Sequence, residues 1–402
     1  MRRAADPRRP PFARQRTPSS PAPNRATDCW RRVPLKHQAL ITAAALTLFA
    51  GGALADEARQ PVTTELSYSF EGDKNFSGGL RKGSATLGSG LLDVTFDSEA
   101  AGWWPGGTLF IEGLLDHGRN PSDFIGDVQT ASNIADGNRT RLQQMWYEQR
   151  LGQGLSLLAG LHDLNSEFDV SEYASLFLNS SFGIAPDISA NAQGISIFPQ
   201  AGWAVRLFLQ LNEAISLRMA VYDGDPTTRT VTGREGYMKI VEAAWSSGEA
   251  AWKIGGWQHS GDKTAPDGRL YGSNGGIYGV IDQPLTRWEG GALGLFVQWG
   301  LAQKDRNDFS NYLGAGIHVA GPIPGRGDDE FGLAVARAGF SDIYRRVNGS
   351  TRAETAIEAT YQLQLRPWLQ LHPAFQWILH PGGDPKLADA KVGMLRATIT
   401  LP

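Results

Sequence analysis

Cysteine is almost missing from this 402-residue chain, where Cys29 is the only one. With none after residue 55, the body of the protein is built without disulfides or thiolate chemistry, a composition tolerated in an oxidising compartment. No stretch of about 20 apolar residues occurs either, so nothing reads as a membrane-spanning helix. Catalytic signatures are absent too. The seven histidines (His37, His117, His162, His259, His318, His372 and His380) form no H-E-x-x-H, and the chain has no P-loop and no Gly-x-Ser-x-Gly. His162-Asp163 followed by Ser166 hints at a hydrolase, or at a barrel enzyme such as a membrane lipase, but loop polarity explains it more simply. Positive charge is scarce where it would matter. Residues 1–55 hold ten Lys and Arg against Asp6 and Asp28, leaving 28 basic and 39 acidic residues in the remainder. An anionic body of this kind has no electrostatic footprint for nucleic acid.

The first 55 residues are of a different character. Lys36 and His37 precede a mostly apolar run over 39–50, followed by Gly51, Gly52, Ala53-Leu54-Ala55 and the acidic Asp56-Glu57. This order is that of a secretory signal cleaved after Ala55, which divides the chain into an extension and signal (1–55) and one mature domain (56–402). Residues 1–32, rich in Arg and Pro, fit neither a signal nor a fold; initiation at Val33 would leave an ordinary signal of 23 residues.

Beyond Ala55 the hydrophobic period is two. Leu66, Tyr68 and Phe70 alternate with Glu65, Ser67, Ser69 and Glu71, and Trp203, Val205, Leu207 and Leu209 alternate with Ala204, Arg206, Phe208 and Gln210. Such segments recur about sixteen times, near 62–71, 89–97, 106–115, 140–150, 155–163, 201–210, 215–222, 236–246, 249–258, 271–281, 290–300, 312–319, 330–338, 354–364, 369–378 and 391–401. Connections after even-numbered segments are mostly short and those after odd-numbered segments longer, the longest near 164–200. The expected fold is therefore all-β: a transmembrane antiparallel β-barrel of about 16 strands, with long extracellular loops and short periplasmic turns.

A soluble sandwich would alternate as well. It would hide its apolar faces against each other, whereas here the second face carries Arg, Glu, Gln and Thr and needs water. Trp103, Trp104, Trp146, Trp245, Trp288, Trp299, Trp368 and Trp377 lie at or near segment ends, as interfacial girdles would.

At its loop motifs the chain resembles the carbohydrate-selective porins of the OprB family. The matching stretches are Asn120-Pro121-Ser122-Asp123-Phe124-Ile125-Gly126-Asp127-Val128-Gln129 with Ser132-Asn133-Ile134, then Gly160-Leu161-His162-Asp163-Leu164-Asn165-Ser166-Glu167-Phe168-Asp169-Val170. They continue with Leu176-Phe177-Leu178-Asn179-Ser180-Ser181-Phe182-Gly183, Ser196-Ile197-Phe198-Pro199, and a stretch from Glu354 through Trp368 to Pro381-Gly382-Gly383. The resemblance implies a sixteen-stranded bacterial outer-membrane barrel narrowed by inward loops, passing glucose and related sugars without a cofactor. Its implied partners are mono- and oligosaccharides, outer-membrane lipid and the barrel-assembly machinery, with a homo-oligomer left open. One departure is the ending Leu401-Pro402, where barrels of this class usually end on an aromatic residue.

A neutral sugar is recognised through hydroxyls that donate and accept and through apolar C–H faces, so a constriction needs Arg, carboxylates and aromatic rings. Inward positions by alternation are Asp93, Glu112, Glu148, Arg206, Arg218, Glu242, Glu358 and Arg396. Phe110, Phe208 and Tyr222 on the wall, with Phe168, Phe177 and Phe182 on the long loop, are the aromatics able to approach the lumen and line the pore. The segment 163–199, with Phe168, Tyr173, Leu176, Phe177, Leu178 and Phe182, is too apolar for a solvated tail and is the candidate for a loop folded into the channel. Asp123, Asp127 and Asp136 in the preceding loop fit turn chemistry better than a Ca²⁺ loop. A general diffusion porin and a surface sugar-binding β-protein are the alternatives.

Overall fold

In the computed structural model the period-two alternation becomes a closed sheet. The structure describes residues 60–192 and 194–402, and the expected signal and its cleavage point lie outside the described residues. The strands are β1 (Val62–Ser77), β2 (Gly83–Asp97), β3 (Gly107–Gly118), β4 (Arg139–Arg150), β5 (Leu155–His162), β6 (Gly202–Gln210), β7 (Ile215–Asp223), β8 (Tyr237–Ser247) and β9 (Ala250–His259). They continue as β10 (Lys263–Thr264), β11 (Leu270–Tyr271), β12 (Asn274–Trp288), β13 (Gly291–Ala302), β14 (Phe309–Ala320), β15 (Glu330–Phe340), β16 (Ala353–Arg366), β17 (Leu369–Leu379) and β18 (Ala390–Leu401). Sixteen of them close the barrel, each antiparallel to its sequence neighbours, while β10 and β11 pair only with each other.

Closure comes from β1 pairing with β18, in a register that sets Leu66 opposite Leu401 and Glu71 opposite Arg396. On the inner side of this seam Arg396 Nε donates to Glu71 Oε2 at 2.6 Å. Because the side-chain period is two, one register decides every orientation. Val205, Ile254, Leu313, Leu333 and Leu395 are exposed on the outside, whereas Glu112, Glu242, Gln298, Glu358, Gln376 and Arg396 are buried on the inside. That polarity is inverted relative to a soluble domain, and it suits hydrocarbon without and polar groups within.

The short connections, such as 151–154, 211–214, 248–249 and 367–368, gather at one rim. Trp103, Trp104, Trp245, Trp252, Trp288 and Trp368 stand exposed at that rim, and Phe76, Trp203, Tyr237 and Trp377 at the other. Two expectations need correction. The connection after β1 covers only residues 78–82, because β1 and β2 run on through the polar inward positions Asp73 and Asn75 as a long hairpin. Trp146 is not a girdle residue: it shares the inward face of β4 with Gln144 and Glu148, between the exposed Met145 and Tyr147.

Two long loops fold into the bore. Residues 163–201 carry the helical turns Leu164–Ser166, Ala174–Leu176, Ser180–Phe182 and Pro186–Ser189, and residues 119–138 carry Ser122–Ile125. The loops bond to each other, Asn133 N to Leu178 O at 2.9 Å and Ser180 N to Thr130 O at 3.0 Å. Phe177 and Phe182 pack on Phe296 of β13, with ring centroids 5.6 and 5.9 Å away. Each buried ring of this kind contributes about 2 kcal/mol of apolar burial. The wall accommodates the loop with glycine: a Cβ at Gly332 would lie 2.5 Å from the Phe177 ring, and one at Gly294 would lie 2.4 Å from the Tyr173 ring.

Candidate functional site

A loop leaving its own strands takes backbone N–H groups into a space with little water, and each needs an acceptor. The inner wall supplies carboxylates. Glu358 accepts from Leu178 N at 2.7 Å and from Asn179 N at 2.9 Å. Glu354 accepts from Val128 N, Gln129 N and Gly382 N. Asp282 takes Glu172 N at 2.9 Å, and Glu242 takes Asp169 N at 3.1 Å together with the Tyr278 hydroxyl. Arg396, besides its pair with Glu71, donates to Asn133 Oδ1 at 2.6 Å. Glu242, Glu358 and Arg396 therefore hold the loops to the wall.

Alongside the docked loop, β3 to β8 present charged and aromatic side chains. Arg206 donates through Nη2 to Glu167 Oε1 at 2.7 Å and Glu148 Oε1 at 3.0 Å, and through Nη1 to Ser156 Oγ at 2.7 Å. Arg218, on the adjacent strand, lies 3.9 Å from Glu167 Oε2 and 3.7 Å from Glu242 Oε1, with its guanidinium 5.1 Å over the Phe208 ring. The two arginines differ in access. Arg206 is 4% exposed with both terminal nitrogens engaged, whereas the Arg218 side chain is 28% exposed and its ion pairs are long. A guanidinium has five N–H donors, so Arg218 keeps donors for a solute. Burial pushes the Glu167 carboxyl up, but Arg206, through its charge and its hydrogen bond, together with His162 and Arg218 holds that group below its ordinary value.

Beside the arginines lies an aromatic step. Trp146 stacks on Phe110 at 5.0 Å with 28° between planes and meets the edge of His162 at 6.2 Å. Trp146 is half-buried on this inward face. Its inward orientation was within reach of the alternation, since it stands two residues before Glu148.

The structure brings Glu148, Arg206, Arg218 and Glu242 together around Glu167, which the sequence reading had not singled out. Asp93 and Glu112 stand in register with Glu65, forming an acidic row across β1, β2 and β3, and Glu112 accepts from Gln144 Nε2 at 3.1 Å. Glu358 and Arg396 lie away from this group, under the loops. Phe168, Phe177 and Phe182 are 0% exposed, so they form the apolar core between loop and wall and offer no face to a solute. Tyr222 is likewise covered; its hydroxyl lies 2.8 Å from His162 Nδ1. Near 162, Ser166 Oγ donates to Asp163 O at 2.6 Å and lies 3.2 Å from His162 Nε2, and the Asp163 carboxylate accepts from Asn165 N at 2.8 Å.

With this geometry in view, comparison with known proteins is informative. The model of the carbohydrate-selective porin OprB family matches residues 81–401. Porin B of Pseudomonas aeruginosa is 24% identical over 392 residues, covering 83% of this chain and 86% of that protein. The high-pH structure of Pseudomonas putida OprB superposes with a TM-score of 0.79 at 20% identity, over 85% of this chain and 94% of that one. Its low-pH structure gives a TM-score of 0.57 at 17% identity, over 93% and 99%.

Proposed function

Because this chain belongs to the OprB family of carbohydrate-selective porins, we propose that sugars cross it between the inward loop and the wall of β3 to β8, over Trp146, Phe110, Glu148, Arg218 and Phe208. The protein is a sugar-selective channel of the outer membrane, and its family and fold make it a channel rather than an enzyme. Transport then has no chemical step. Flux depends on how well the constriction replaces the water around a sugar while still letting it leave. Arg218 donates to ring hydroxyls, Glu148 accepts from them, and the Trp146 ring takes the apolar face. A hydrogen bond to a charged group nets about 1.5–3 kcal/mol, so one or two such contacts give the weak, reversible binding that conduction needs.

The observation that carries this reading is the incomplete pairing of Arg218 beside two aromatic surfaces. Glucose and related monosaccharides are the proposed solutes. Outer-membrane lipid and the barrel-assembly machinery are the proposed partners, and residues 1–55 the proposed cleaved segment. Liposome swelling tests the selectivity: glucose should enter several times faster than an amino acid of equal size. Equal rates would leave an unselective diffusion porin, and no swelling with any solute would leave a surface sugar-binding protein.

A further inference from the structure

Charges on the outer wall are distributed unevenly. Away from the terminal residues of each strand, the outward positions of the described barrel carry Lys74, Lys239, Arg337 and Lys391 and no carboxylate. All four are exposed and all lie in the half of the wall nearer the long loops. A cation on a lipid-facing surface is unfavourable unless it reaches the interface or meets an anion there.

Two of the four converge. Lys74 on β1 stands opposite Gly393, and Lys391 lies two residues before that glycine on β18, which makes the two lysines diagonal neighbours across the closing seam. The Lys74 ammonium sits 5.5 Å from the Phe76 ring centre, and Lys391 faces Trp377 across β17. On the same outer surface, towards the middle of the wall, Phe70, Phe375 and Leu395 are exposed. Of the acids nearest in sequence, Asp73 is buried at an inward position, and Asp389 is turned to the rim, where its carboxylate accepts from His380 N at 3.0 Å. Two ammonium groups at interface height, flanked by rings and continued by an apolar wall, match an amphiphile with an anionic head and acyl chains.

We propose that the β1–β18 seam holds a phosphorylated lipid of the long-loop leaflet, its phosphates on Lys74 and Lys391 and its acyl chains along Phe70, Phe375 and Leu395. This site rests on the barrel spanning a membrane and is independent of what the bore conducts. Each lysine near a membrane surface attracts an anionic lipid by about fivefold, so losing both weakens binding by about 25-fold.

The test is a native mass spectrometry titration of the mature chain in detergent micelles with bisphosphorylated lipid A. The Lys74→Gln/Lys391→Gln double variant should lose affinity by about 25-fold, and Lys74→Arg/Lys391→Arg should keep it. Lys386→Gln, at an exposed position in the 380–389 loop, should bind as wild type. If the double variant fails to fold, Lys74→Gln alone should lose about fivefold. Unchanged binding by the Gln variants, or equal binding of fully dephosphorylated lipid A, would overturn the proposal. Displacement of the lipid by inorganic pyrophosphate at matching concentration would overturn its assignment to a lipid. Channel conductance measured on the same variants separates a failure of this site from a failure of the channel reading.

Discussion

The inner wall of this barrel has two halves that obey one alternation and do opposite things. Over β13 to β18 the inward positions include Gly294, Gly300, Gly332, Ala334, Ala336, Ala356 and Ala374, interrupted by the buried carboxylates Glu354 and Glu358. Over β3 to β8 they include Phe110, Trp146, Glu148, Arg206, Phe208 and Arg218. Small residues leave room for another piece of protein, and isolated carboxylates receive its amide groups. Long charged and aromatic residues fill space themselves. Small inward residues thus shape how the loop docks over β13 to β18, while its residues Leu164, Phe168 and Ile188 share a second buried cluster with Ala204, Ala220, Tyr222, Met238 and Ile240 of β6 to β8.

That contrast can be broken most severely at Gly332. A Gly332→Leu side chain would occupy the site of the Phe177 ring, so the loop should leave the wall and single-channel conductance rise severalfold with loss of sugar selectivity. Unchanged conductance would mean the loop does not narrow the bore. Next in size is Arg206→Ala, which leaves Glu148 and Glu167 without their shared cation at a buried site. Breaking such a pair costs about 3–5 kcal/mol, so the loop should become susceptible to limited proteolysis. Glu358→Ala leaves Leu178 N and Asn179 N without their acceptor, at about 1–3 kcal/mol for each buried donor. It should raise current noise while the barrel still migrates as a heat-modifiable band.

A smaller effect comes from pH. Burial pushes the Asp187 carboxyl, in the inward loop, from 3.8 up to about 7, so the docked loop prefers its neutral form. Its contribution to docking is complete below the unfolded value near 4 and is lost as pH rises through about 7. Current noise should therefore increase between pH 5 and pH 8, and Asp187→Asn should flatten that dependence. A wild-type trace equally quiet across the range would contradict it.

The alternation was readable because lipid and water enforce it on every strand. All sixteen barrel strands fall where the periodicity puts them, and the inward placement of Arg206 and Arg218 follows from the exposed Val205 and Val221 beside them. Partners were not readable. Glu167 is far in sequence from Arg206 and Arg218, and only folding of its loop brings it between them. Phe168, Phe177 and Phe182 were rightly seen as too apolar for a solvated loop, but composition does not say whether a ring faces the bore or the wall. Here Phe177 and Phe182 bury with Phe296, Ala334 and Ala336 of the far wall, and Phe168 buries with Ala204, Ala220 and Tyr222 of β6 and β7. The β10–β11 hairpin escaped notice because two-residue strands carry no period.

The most direct test is the block of single-channel current by glucose in wild type and in Arg218→Ala. If a sugar path runs over Arg218, glucose should block wild-type current in a saturable way, and the variant should keep its fold while its half-blocking concentration rises about tenfold, the loss of one charged hydrogen bond. Identical block in the two proteins, or none in either, would contradict a sugar-selective constriction at this wall.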